Sequence, residues 1–205
     1  MKRNSSNQVK VFYALFGLIL IFALAGCNPY APGNKMLDQG KYAEAAKYYE
    51  EKIKAKPNDP VLNNQLAFSY AKLGRVKEAE SYYRKAIQLK PNYPEAHYNL
   101  GYLLMAKPML RLDEAVKEFD KAIELRHKYA KAYNNRGVTH AYLGRFDLAI
   151  KDMEKSLALD SDNKTYKDNL EWCQRMQNVN RPAPPPKPET EESPSAEKPP
   201  EGKPK

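Results

Sequence analysis

Alanine recurs at positions 45, 79, 115 and 149, at spacings of 34, 36 and 34 residues, and carries the same surroundings each time. The four stretches are "GKYAEAAKYYEEKIKAKPN" (40–58), "GRVKEAESYYRKAIQLKPN" (74–92), "LRLDEAVKEFDKAIELRHK" (110–128) and "GRFDLAIKDMEKSLALDSD" (144–162). Tyr49, Tyr83, Phe119 and Met153 keep that register, as do Ile53, Ile87, Ile123 and Leu157. A period of this length excludes most single-core folds. One unit is too small to bury its apolar face alone, so units must stack and bury it against their neighbours.

Ahead of the last three stretches lies a second helical segment: "PVLNNQLAFSYAKLG" (60–74), "PEAHYNLGYLLMAKP" (94–108) and "AKAYNNRGVTHAYLG" (130–144). Apolar or small residues recur there three and four apart, as at Leu62, Leu66, Ala67 and Tyr70, which marks an amphipathic helix. Asp59-Pro60 and Tyr93-Pro94-Glu95 predict helix starts, because proline in the first turn loses no hydrogen bond. Gly74 and Gly144 predict the ends of their helices.

The helix–turn–helix unit, with a small residue on helix A (Ala67, Gly101, Gly137), an alanine on helix B and a closing proline (Pro57, Pro91), resembles the tetratricopeptide repeat (TPR). The resemblance implies an all-α solenoid of about three and a half repeats over residues 34–178, with a C-terminal capping helix. It gives a truncated first repeat at 34–59 and repeats at 60–93, 94–129 and 130–163. The capping helix is then 164–178. His127 and Ser161 replace the closing proline, and Ser156 replaces a helix-B alanine. Repeat 94–129 has two extra residues around 107–110, which predicts a longer turn between its helices. In the capping helix Trp172 and Cys173 are expected to face inward, with Lys164, Lys167, Glu171 and Arg175 outward.

Upstream, Lys2, Arg3 and Lys10 precede an apolar run from Val11 to Ala25. A basic start, about 15 apolar residues and small residues at the end make a signal peptide over 1–26, and the run is shorter than the ~20 residues a spanning helix needs. Leu24-Ala25-Gly26-Cys27 resembles the lipobox of bacterial lipoproteins. That resemblance implies cleavage before Cys27, lipidation of its sulfur and amino group, and a tether over 27–33. Asn28 in place of aspartate implies the outer membrane, with the chain facing the periplasm. Removal of 1–26 lowers the formal charge from +9 to +6, and no dense basic cluster points to nucleic acid.

Pro29, Pro32 and Gly33 predict that only Asn34 to Gln39 can form a short turn ahead of helix B of the first repeat. Tyr42, Ala46, Tyr49 and Ile53 are then left without cover. The lipid headgroup layer, a partner or a second copy can supply it, and the reading adopted is a homodimer through the N-terminal end. The segment 179–205 is read as a disordered tail: nine of the last 25 residues are proline, and five basic residues balance five acidic ones. Such a composition reads as an extended spacer.

Chemistry is sparse. The sequence holds no Gly-x-Ser-x-Gly, His-Glu-x-x-His, phosphate-binding glycine loop or Cys-x-x-Cys. No catalytic residue, metal site or cofactor is predicted, and the three histidines fall at repeat landmarks. Function is expected on the inner wall instead. The family's inner-wall places give Val61, Asn64, Phe68 and Lys72, then Glu95, Tyr98, Tyr102 and Met105, then Lys131, Asn134, Val138 and Tyr142. Rings supply contact area, amides pair with a peptide backbone, and Lys72 or Lys131 meets a carboxylate. The carboxylate clamp of chaperone-binding TPR domains is not matched, because Asn64 and Phe68 stand where it needs lysine and asparagine. The reading is a membrane-anchored scaffold binding an envelope protein or peptide. It is similar to lipoproteins that scaffold peptidoglycan hydrolases or assist secretin assembly. The rivals are a lipid-anchored enzyme acting on cell-wall material and a passive spacer.

Overall fold

A computed structural model describes residues 28–106 and 108–180. The expected signal peptide, the Cys27 lipidation site and the proline-rich segment from Arg181 lie outside the described residues. Within them the chain is nine α-helices and no strand, and no helix is long and apolar enough to cross a membrane. The helices are α1 (Ala31–Asp38), α2 (Tyr42–Ala55), α3 (Pro60–Lys72), α4 (Val76–Leu89), α5 (Pro94–Met105), α6 (Leu112–Leu125), α7 (Ala130–Tyr142), α8 (Phe146–Leu159) and α9 (Lys164–Asn180). Odd-numbered helices are A elements and even-numbered ones are B elements.

Local chemistry sets the boundaries. Asp59 caps α3 by accepting from the Val61 and Leu62 amides at 2.9 and 3.1 Å, with Pro60 in the first turn. Between helices A and B the chain turns through a residue of positive φ: Gly40 (72°), Gly74 (74°) and Gly144 (72°). Leu110 holds the same place in the long turn, with φ of 47°. The two extra residues reach from Met105 to Leu112 and leave a leucine in a conformation that favours glycine.

The core follows the alanine column. Ala45, Ala79, Ala115 and Ala149 are fully buried, and Tyr49, Tyr83, Phe119 and Met153 are among the deepest large side chains. They meet the small residue of helix A. A β-carbon on Gly101 would lie 2.9 Å from the Phe119 ring, and one on Gly137 3.0 Å from Met153 Cγ. Ser156 at an alanine place is buried, and its hydroxyl donates to the Met153 carbonyl at 2.7 Å. Beside this seam, Arg136 reaches Asp152 at 2.6 Å and Asp120 at 2.5 Å, tying α7 to α8 and α6. Other ion pairs, such as Arg84–Glu80 at 2.8 Å, are more exposed, and each contributes little.

The N-terminal end differs from expectation. The helix begins at Ala31, not Asn34, because Pro32 occupies the first turn, where it is tolerated. Gly33 lies 34 residues before Ala67 and is the helix-A small residue of the first repeat. A β-carbon there would come within 2.4 Å of Tyr49 Cζ. Tyr49 donates to Asn34 at 2.6 Å, Tyr48 donates to the Pro29 carbonyl at 2.9 Å, and Tyr30 donates to Asp59 at 2.9 Å. Ala46 and Tyr49 are therefore buried rather than bare. Tyr42 and Ile53, the other two residues expected to be bare, are half-buried, so less apolar surface is left for the expected homodimer to cover than the sequence suggests. The expected tether also shrinks, because the chain is held from Pro29 onward.

At the other end α9 runs to Asn180, two residues past its expected limit. Cys173 is fully buried as expected, but Trp172 faces outward at 41% exposure. Neighbouring helical residues point about 100° apart, and among the described residues no B helix follows α9 to cover both.

Candidate partner-binding groove

The helix-A elements line a concave groove of about 1600 Å³. Stacking positions it: each A helix packs its small residue on its own B helix, so the opposite side chains face inward. Of the expected residues, Asn64, Phe68, Lys72, Tyr98, Tyr102 and Lys131 line the groove, as does Glu95. Met105, Asn134 and Tyr142 do not. Met105 sits at the end of α5 and packs on the core, its sulfur 3.5 Å from the Thr139 hydroxyl, which donates to the Asn135 carbonyl at 2.7 Å. Tyr142, 63% exposed, ends α7 beyond the groove. Val61 faces a small separate hollow with Tyr30 and Pro57, and Val138 packs in the C-terminal core.

The amides are used differently from expectation. Asn99 donates to Asn64 at 3.1 Å and Asn169 donates to Asn134 at 2.9 Å. Asn135 donates to the Tyr98 hydroxyl at 3.0 Å, and Gln65 to Asn34 at 2.6 Å. Each link joins one A helix to the A helix before it, a polar clasp repeated along the wall. Asn64 and Asn134 are buried by it, so they hold the solenoid together rather than offering themselves to a peptide backbone.

What remains for a ligand is mainly rings and cations, with Asp38, Glu95 and Asp160 also on the wall. Tyr102 is 50% exposed and stacks on Tyr98 at 6.5 Å between centroids. Tyr98 also packs against Tyr129 at 5.0 Å and Phe119 at 5.9 Å, and so forms the floor. Lys72 lies 5.3 Å from the Phe68 ring centre. No carboxylate pairs with Lys72, Lys90 or Lys131 among the described residues. Burial pushes the Tyr93 and Tyr98 hydroxyls up to about 12 and raises that of Tyr129. At neutral pH they are uncharged.

Several wall residues lie outside the sequence expectation: Lys90, Tyr93, Arg126, Tyr129 and Tyr166. Lys90 sits 5.0 Å from the Tyr93 ring and Arg126 4.7 Å from the Tyr129 ring. Their signal in the sequence is a cation three residues before a tyrosine, repeated 36 residues later. Arg126, at the end of α6, also donates to Glu95 at the start of α5.

Two of the three histidines and Cys173 are occupied or buried, while His127 is exposed. His97 is a clip between the Pro91 carbonyl at 2.9 Å and Glu118 at 2.7 Å. Desolvation lowers the His140 pKa and raises that of the Cys173 thiol. Among the described residues no group of three or more His, Cys, Asp or Glu is placed to hold a metal ion.

Tetratricopeptide-repeat family models match residues 36–83, 69–107, 111–144 and 130–163, together more than half of the chain. The chain belongs to the tetratricopeptide-repeat family. Its TPR fold is shared with MamA from Desulfovibrio magneticus RS-1, 23% identical with a TM-score of 0.65, over 73% of this chain and 84% of that one. TTC0263, a thermophilic TPR protein of Thermus thermophilus, is 25% identical with a TM-score of 0.63, over 73% and 81% of the two chains. YrrB, a TPR protein with an unusual peptide-binding site, is 28% identical with a TM-score of 0.61, over 70% and 73%. No curated protein matches the chain. TPR proteins are generally interaction scaffolds, and no catalytic family is indicated.

Proposed function

We propose that this TPR protein is a scaffold of the bacterial envelope. Anchored by lipid on Cys27 and facing the periplasm from the outer membrane, it holds an extended segment of another envelope protein in its groove. The observation that carries the reading is the row of rings with unpaired Lys72 and Lys131 beside it. Rings offer broad contact at low entropic cost, and the cations select an acidic partner. The peptide-binding site of YrrB, at 28% identity, is in keeping with this use of the fold. Leu24-Ala25-Gly26-Cys27 supports the anchor, and two or more acyl chains give stable attachment where one gives only marginal binding. Because Tyr48 already holds the Pro29 carbonyl, the lipid would leave the first repeat little slack from the membrane.

Both halves are tested on the full chain in its own membranes. The mature protein is expected to begin at an acylated Cys27, and a mature N-terminus elsewhere contradicts the anchor. With a photo-crosslinker replacing Tyr102, adducts to another envelope protein are expected. The same group replacing Leu148, which is 50% exposed and lies off the groove, is expected to give few. Adducts from Leu148 but not from Tyr102 would place the partner elsewhere.

A further inference from the structure

With its amides committed to clasps, the groove reads rings and charge along an extended chain. A ligand suited to it has flat, stiff residues for the rings and carboxylates for the lysines. Within residues 181–205, whose five basic and five acidic residues balance, the stretch 182–197 has that composition, with Lys187 as its one basic residue. Prolines stand at 182, 184–186, 188 and 194, and the stretch 189–197 holds Glu189, Glu191, Glu192 and Glu197 with no basic residue. We propose that this segment occupies the groove of its own chain when no partner is bound. The proposal rests on the groove being the binding site. It adds an internal occupant that a partner must displace.

Reach and polarity agree. Tyr166, near the start of α9, lines the groove, while the segment leaves α9 after Asn180. Returning along α9 from Asn180 to Tyr166 takes about 21 Å at 1.5 Å per residue. Three helix-to-helix steps of roughly 10 Å then lead past Lys131 and Tyr102 to Lys72. Twenty-five residues at 3.1 Å each span about 78 Å, more than the path requires. Fully extended, Glu189 to Glu192 lie about 28–37 Å from the exit, which brings them opposite Lys131. Glu197 lies about 53 Å away, which brings it opposite Lys72. Proline lowers the entropy lost on docking, because its backbone is already extended. A linked segment also acts at high effective concentration, so modest contacts suffice.

The test uses the purified full chain without its membrane partners, a photo-crosslinker at position 102 or 148, and equal amounts of 14N- and 15N-labelled protein. Gln177 donates to Asp147 at 2.5 Å, so the segment leaves close to Leu148. Contact by chance alone would favour that position. Adducts from 102 to peptides within 181–205, within one isotopic chain and several-fold above those from 148, support the proposal. Glu189→Lys, Glu191→Lys and Glu192→Lys together are expected to lower them at least fivefold. Adducts only between isotopically distinct chains overturn it, as do adducts at 148 equal to those at 102, or none from 102 to the segment. If partner adducts still form in membranes while no such adduct forms, the groove reading stands and the internal occupant falls. If neither forms, both fall.

Discussion

Phe119→Ala is expected to cost about 3–5 kcal/mol, the range for emptying a fully buried aromatic site. Phe119 has no exposed surface. It fills the place facing Gly101 and supports Tyr98 from 5.9 Å. Neither neighbour can collapse into the gap cheaply: Gly101 has no side chain, and Tyr98 is held by Asn135. With native stabilities of about 5–15 kcal/mol, this one change removes a large share. In a short array the loss spreads through the repeat interfaces.

The companion change shows that the seam is the cause. Gly101→Ala alone forces a β-carbon to 2.9 Å from the ring and 3.2 Å from the Ala115 carbonyl, so it is expected to destabilise by about 1–3 kcal/mol. In the Phe119→Ala background the ring is gone, and alanine is the better helix former by about 1 kcal/mol. The second change should there cost clearly less than it does alone, because only the 3.2 Å approach to the Ala115 carbonyl remains. Chemical denaturation of the four proteins measures the coupling. Additive effects would mean that Gly101 and Phe119 do not meet as described.

Much of this interior is legible in the sequence because the period exposes it. One alanine column, one large apolar column and one small column locate the A–B seams from register alone. The first repeat is misread there because Gly33 has the local character of a helix breaker. Carrying the period back 34 residues from Ala67 lands on it, and in the fold it is the close-packing residue that Tyr49 requires. Local propensity and register disagree, and packing wins. Trp172 is misplaced because no B helix follows α9 among the described residues, so the pattern alone does not say which neighbouring face is covered.

The groove is legible in part. Phe68, Lys72, Tyr102 and Lys131, which the resemblance to the family's inner-wall places implies, do line it. Tyr93 and Tyr129 have the sequence character of turn residues, yet a residue entering a helix in this stack also borders the wall. Asn64 and Asn134 fall to the ligand in a sequence reading because a sequence shows donors and acceptors but not their partners. Each is paired with an amide 35 residues later, on the next A helix. That contact needs the curvature of the stack and cannot be read from one segment.

The most direct test of the scaffold reading is the affinity of the full chain for the partner segment crosslinked at position 102, made as a synthetic peptide. Tyr102 and Lys131 are the residues to change. Both reach into the groove and neither belongs to the buried core, whereas Tyr98 packs on Phe119 and Tyr129, so its loss would confuse binding with folding. Removing an exposed anchoring ring and an unpaired cation together should weaken binding by roughly ten- to a hundredfold, or about 1.4–2.8 kcal/mol. Helical content should stay that of the native chain. The Lys131 share should fade in high salt, since an exposed charge is screened within about 10 Å at 0.1 M. A folded Tyr102→Ala, Lys131→Ala variant that binds the segment as tightly as the native chain would contradict the assignment of the groove as the partner site.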